Sequence, residues 1–143
     1  MNDPLASLPG YVLRRASAAA LAGLNRRLTP LGLRHVDASL LLVVHARPGI
    51  TQSEAGRQLD IQRANMVPIV ARLEARGLLD RRRADGRSQG LYLSEEGEVV
   101  CAGVRDAVDT HERLLFEALP IKLRGHALDV LTALWQAAEA VDG

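Results

Sequence analysis

Several residue types are scarce in this chain of 143 residues, and each scarcity removes a class of function. A single cysteine, Cys101, cannot close an internal disulfide, which fits a reducing compartment. Aromatic residues make up 3%: Tyr11, Tyr92, Phe116 and Trp135. Such a chain has few platforms for single-stranded nucleic acid, whose bases are held largely by stacking. The longest apolar run, LLLVV at 40–44, is far too short to cross a bilayer. The opening MNDPLASLPGYVLRR has no basic start followed by an apolar core, so neither a secretory signal nor a membrane partner is expected. A cytoplasmic protein is the expectation. His35, His45, His111 and His126 form no H-x-x-x-H or H-E-x-x-H spacing, so no metal site and no cofactor are expected. No nucleophile elbow, phosphate-binding glycine loop or paired-carboxylate site is evident, which argues against an enzyme.

What remains is ordinary in amount and uneven in layout. The hydrophobic fraction of 48% and charged fraction of 24% suit a globular chain, read as a single unit over 1–143. Of the 18 basic residues only Lys122 is lysine, so positive charge is almost wholly guanidinium. Arginine suits phosphate forks and groove insertion better than lysine, although genomic base composition accounts for the bias as well. The net charge of +1 conceals segregation. Residues 1–56 carry six basic and three acidic groups, 57–87 carry eight and four, and 88–143 carry four and ten. Polyanion contact is therefore expected in the middle of the chain.

Helical periodicity dominates. Apolar residues recur at three- and four-residue spacing over about 8–28, and TPLG at 29–32 ends that helix. A second helix, over about 36–45, is apolar nearly all round and should be interior. TQSE at 51–54 is a capping box for a short helix ending near 59. A tight turn leads to a further helix over about 63–76, with Val67, Val70 and Leu73 on one face and Gly77 as C-cap. LLDRR at 78–82 and GLYLS at 90–94 read as a two-stranded hairpin about the turn ADGRSQ. Ser94 caps a helix reaching about 119, with Glu95 and Glu96 in its dipole-favoured first turn, and Pro120 ends it. The last helix spans about 121–140, with Leu123, Leu128, Leu131, Leu134 and Trp135 on its apolar side.

A short capped helix, a tight turn, a second helix and a hairpin form the order of a winged helix-turn-helix. Such a helix, about 11 Å across, fits a major groove about 12 Å wide, while the hairpin lies along the neighbouring backbone or minor groove. The stretch TQSEAGRQLDIQRANMVPIVARLEARGLLDRRRADGRSQGLYLSEEG resembles the core of the MarR family of bacterial transcription regulators. LEARGLLDR, the Asp-x-Arg of the wing and the following L-S-x-x-G carry the resemblance, which extends over about 8–140. It implies a mainly α fold with a small β-hairpin wing: a winged helix-turn-helix lobe at 33–96 and a helical dimerisation region at 5–30 and 97–141. It further implies a homodimer with intertwined terminal helices on a pseudo-palindromic double-stranded DNA operator, and a small-molecule effector that releases it. A repressor is expected. A redox-responsive regulator acting through Cys101 and a winged-helix module for protein contacts are the alternatives. The chain departs from the family pattern at Gly86, where an arginine is usual, and at Pro68, inside the expected recognition helix. Either the first turn of that helix is irregular or the helix starts after 63.

Candidate DNA contacts follow from chemistry and placement. Arg63 and Asn65 can read guanine and adenine edges bidentately, with Gln62 and Met66 in the same first turn. Gln52 and Ser53 open the preceding helix and suit phosphates better than bases. Arg72 and Arg76, later in the recognition helix, are either solvated or phosphate-facing. Arg81, Arg82 and Arg83 alternate along a strand, so one or two should meet phosphates and at least one should be solvated or pair with a local carboxylate; Arg81 and Arg83 are the candidates for DNA. Arg87 follows the turn and is placed to enter the minor groove, with Asp85 orienting its guanidinium. For the effector, the resemblance brings Tyr11, Arg15, Arg34 and His35 towards the cleft between the first two helices. A tyrosine with arginine and histidine there suits an aromatic carboxylate or its thioester; intersubunit hydrogen bonds are the other use.

Overall fold

Proline and glycine mark most element boundaries. In the computed structural model, which describes residues 3–83 and 88–142, helix α1 (Pro9–Leu28) starts on a proline and carries Arg26 and Arg27 in its last turn, where the helix dipole favours cations. A 3-10 turn (Thr29–Leu31) follows and closes at Gly32, whose φ of 67° lies in the left-handed region. Then come α2 (His35–Ala46), β1 (Ile50–Thr51), α3 (Gln52–Gln58), α4 (Arg63–Ala75), β2 (Leu79–Arg83), β3 (Gln89–Leu93), α5 (Glu95–Ala118) and α6 (Ile121–Asp142). The chain divides into two compact units, 1–109 and 110–143, and the division falls inside α5.

The first unit is built on one core. Leu28, Leu40, Leu41, Val44, Met66, Val70, Leu73, Leu78 and Leu91 are fully buried in one cluster with Cys101 and Val104 of α5. Each buried leucine contributes about 1.5–3 kcal/mol, so this cluster is what fixes α4 against α2 and the sheet. As expected, α2 is interior, with Leu40, Leu41, Val43 and Val44 all buried. The α4 face differs from the expected one: Met66, Ile69, Val70 and Leu73 are buried, whereas Val67 is 54% exposed. Met66 and Ile69, absent from the expected face, complete the i, i+3, i+4, i+7 set with Val70 and Leu73.

Helix α4 begins at Arg63 and continues through Pro68. The Gln62 carbonyl accepts from Asn65 N at 2.9 Å and Met66 N at 3.1 Å, so the first turn is well formed. Pro68 deprives the Ala64 carbonyl of its helical donor, but both residues are exposed and water can supply one. The helix ends as expected at Gly77, with φ of 72° and a bond from Leu78 N to the Leu73 carbonyl at 3.0 Å.

The wing is larger than the expected hairpin. Its sheet has three strands in the order β1-β3-β2, both pairs antiparallel, with Leu79 opposite Leu93 and Ile50 opposite Leu91. No periodicity can be read from two residues, and β1 lies between a proline-glycine turn and a capping box. At the far end of the sheet Ser94 N donates to the Leu78 carbonyl at 3.1 Å, and Ser94 Oγ accepts from Gly97 N at 2.9 Å. A Cβ on Gly97 would stand 2.1 Å from the Leu78 oxygen. The L-S-x-x-G pattern is therefore a joint: serine caps α5, and glycine lets α5 lie against the start of β2.

The second unit holds the end of α5 and α6. Arg124 donates to the Leu119 carbonyl at 2.9 Å and the Glu117 carbonyl at 2.6 Å, tying α6 to the end of α5 around Pro120. Leu123, Leu128, Leu131, Leu134 and Trp135 form the expected apolar side, and all are exposed in the single chain. No helix among the described residues is long and apolar enough to cross a membrane.

Candidate nucleic-acid interface

Helix α3 is held by its ends. Thr51 Oγ1 accepts from Glu54 N at 3.2 Å, and Glu54 Oε2 accepts from Thr51 N at 2.9 Å, completing the capping box seen in the sequence. The Thr51 backbone N–H, followed by its hydroxyl, holds the Glu54 carboxyl below its ordinary range, with Arg47 and Arg57 adding to the effect. At the other end Asp60 adopts φ of 52°, and Ile61 N reaches back to the Gly56 carbonyl at 2.8 Å. A Cβ on Gly56 would lie 3.1 Å from Met66 Cγ, so this glycine lets α4 pack closely on α3.

That packing corrects one candidate contact. Met66 is 1% exposed and seats on Gly56 rather than facing outward. Gln62, Arg63 and Asn65 are exposed on the first turn of α4. Gln52, Ser53, Arg57, Arg63 and Arg81 converge on one concavity whose floor is Gly56, Ile61 and Met66. The sequence reading missed Arg57. Its spacing from Ser53, i to i+4, was the available signal, because such residues share a helix face. Arg57 and Arg63, with Arg81 whose guanidinium is shared with Glu74, surround a polar hollow suited to anionic oxygens.

The remaining arginines separate into structural and outward ones. Arg72 forms an ion pair with Asp37, which is 3% exposed and also accepts from Arg34 N at 2.9 Å. Arg76 donates to the carbonyls of Gly32 at 2.9 Å and Leu31 at 3.0 Å. Both therefore fasten α4 to the α1–α2 segment while part of each side chain stays open to solvent. Arg81 pairs with Glu74 at 2.8 Å, which is the expected local carboxylate. Arg82 stacks on Tyr92, 4.5 Å from the ring centroid, and Arg83 is exposed at the end of β2. Asp85 and Arg87 lie outside the described residues.

The four effector candidates form two pairs. Tyr11 donates to Asp3 Oδ2 and accepts from Arg15, both at 2.8 Å, in a shallow groove along the first half of α1. His35 N donates to Asn25 Oδ1 at 2.8 Å, with its ring 3.3 Å from Asn25 Nδ2, and Arg34 is the exposed N-cap of α2. Tyr11 and Asn25 are separated along α1 by about 21 Å at 1.5 Å per residue. Within one chain the pairs do not share a pocket. Cys101 is fully buried with its thiol 3.8 Å from the Leu41 carbonyl, and burial pushes its pKa up. A redox sensor needs an accessible thiolate, so Cys101 is a core residue here.

The MarR family model matches residues 31–88, the segment from the start of α2's approach to the wing. The transcriptional repressor CouR, solved bound to p-coumaroyl-CoA, is 33% identical with a TM-score of 0.84, covering 94% of this chain and 96% of that one. The chain belongs to the MarR family. A second structure of CouR, bound to a 23-mer DNA duplex, matches at 31% identity and TM-score 0.84, over 94% of this chain and 99% of that one. A Thauera aromatica protein named for regulation of the hcr operon is 28% identical over 139 residues, 95% of this chain and 84% of its own length. This MarR-family chain is a transcription regulator, and the mainly helical fold with its winged sheet is that of the family.

Proposed function

We propose that this MarR-type regulator is a homodimeric repressor that binds a pseudo-palindromic operator and is released by a small molecule. The observation carrying this function is the concavity where Gln52, Ser53, Arg57, Arg63 and Arg81 meet beside the exposed first turn of α4. Arginine and short polar side chains hold phosphates there, while Arg63, Asn65 and Gln62 meet base edges. Arg83 continues the basic surface along the wing, and minor-groove entry by Arg87 with Asp85 as its orienting group, read from the sequence, belongs to the same proposal. The DNA-bound form of CouR supports this assignment. Half-sites stand about one helical turn, roughly 10 base pairs, apart.

The effector is proposed to be an aromatic acid or its thioester, supported by the p-coumaroyl-CoA bound to CouR. Arg15 with Tyr11, and Arg34 with His35, supply the cationic and hydrogen-bonding groups; because the pairs are far apart in one chain, a pocket using both draws on two protomers. Binding to a duplex from the protein's own upstream region, followed as a function of salt, tests the function. Log affinity should fall linearly with log salt, with a slope near −0.9 per phosphate contact, and Arg57→Ala should reduce that slope by about one. No binding at low salt would sink the proposal. Asp85→Ala should weaken operator binding although it removes a negative charge; tighter binding at all salt concentrations contradicts the orienting role given to Asp85.

A further inference from the structure

A helix on a protein surface ordinarily carries one apolar stripe, turned to the core. Helix α4 carries two. Met66, Ile69, Val70 and Leu73 are buried, while Ala64, Val67, Pro68 and Ala71, at the same i, i+3, i+4, i+7 spacing, are all exposed on the opposite side. The outer stripe follows directly on Arg63 and Asn65, and the concavity formed by Arg57, Arg63 and Arg81 lies beside the same first turn. Cations at its border favour a polyanion over an apolar protein surface, and small side chains in three of its four positions allow close approach to whatever covers it.

We propose that Val67, at the centre of this stripe, is a specificity-determining residue that packs against the C5-methyl groups of thymines on the major-groove floor. This rests on the DNA-binding function proposed above and adds base selection to it. The thymine methyl is the apolar feature that the major groove offers, and valine presents two methyls without a polar atom to leave unpaired. Val67 lies one helical turn, about 6 Å, beyond Arg63. With base pairs stacked about 3.4 Å apart, the selected thymine falls within about two base pairs of the base met by the first turn.

The test uses the full chain and duplexes that it selects from a random-sequence pool. Thymines are replaced one at a time by deoxyuridine, which removes only the C5-methyl. In each half-site at least one replacement should weaken wild-type binding roughly fourfold, the value of one buried methyl. Val67→Ala should bind the thymine and deoxyuridine duplexes equally at that position, while keeping the wild-type salt slope. The substituted position is exposed and alanine favours helix, so the variant retains its fold. Equal wild-type binding at every replacement, or a full thymine preference in Val67→Ala, overturns the inference while leaving DNA binding intact. Failure to select any duplex overturns the proposed function itself, and the inference with it.

Discussion

Asp37 shows how far one buried carboxylate can reach. It ties α2 to α4 through Arg72 and receives the Arg34 N–H at the start of α2, beside a candidate effector residue. Arg72 remains partly open to solvent, so removing its partner leaves a hydrated cation and not a fully buried one. Asp37→Ala should therefore cost about 1–3 kcal/mol, typical of hydrogen bonds to charged groups, measured as a lowered urea midpoint. Glu54 offers a pH test. Because its carboxyl is held below the ordinary range when folded, its contribution is complete above the ordinary glutamate pKa. That contribution disappears as pH falls through the lowered value. Urea midpoints followed into acid should drop less steeply for Glu54→Gln than for wild type; parallel curves would show that the capping carboxylate does not titrate with folding.

At the scale of elements, the junctions decide more than the elements do. Thr51 starts α3, Gly56 and Asp60 bend α3 into α4, Gly77 ends α4, and Ser94 with Gly97 sets α5 against β2. The Gly97 joint is the most sensitive of these, because an added Cβ would meet a backbone oxygen that cannot rotate away. Gly97→Ala should lower stability by about 1–3 kcal/mol, as overpacking does, and loosen β2 selectively. Hydrogen exchange checks the second part: amides of residues 79–83 should gain more exchange than those of α2. Pro68, by contrast, is tolerated because the donor it removes served an exposed carbonyl.

On the scale of the molecule, the exposed apolar residues of the second unit require a cover. Trp135 is 66% exposed and Leu128 is 65% exposed, on a helix whose apolar side continues through Leu131 and Leu134. A monomer rarely leaves so much contiguous apolar surface in water. A stable homodimer is the expected state, and sedimentation at micromolar concentration should show no monomer. Leu128→Glu together with Leu131→Glu should produce monomers that lose operator binding while keeping the wing, because one half-site contact alone lacks the second protomer's contribution.

Local chemistry was legible in the chain itself. The capping box at 51–54, the Gly77 stop, the Ser94 cap, the buried α2 and the basic middle depend on residues within a few positions of one another, where spacing and side-chain type suffice. The family resemblance rested on the same kind of local pattern. What needed the tertiary structure were choices between faces and between partners. Met66 faces inward and Val67 outward because Gly56 opens a seat for the methionine. Arg72 and Arg76 turn to α2 and the 3-10 turn because their partners come from more than thirty residues away, at Asp37 and at Leu31 and Gly32. β1 exists because β3 supplies the other half of its hydrogen bonds. Periodicity identifies that a helix has an apolar side, but only packing decides which of two apolar sides is the core.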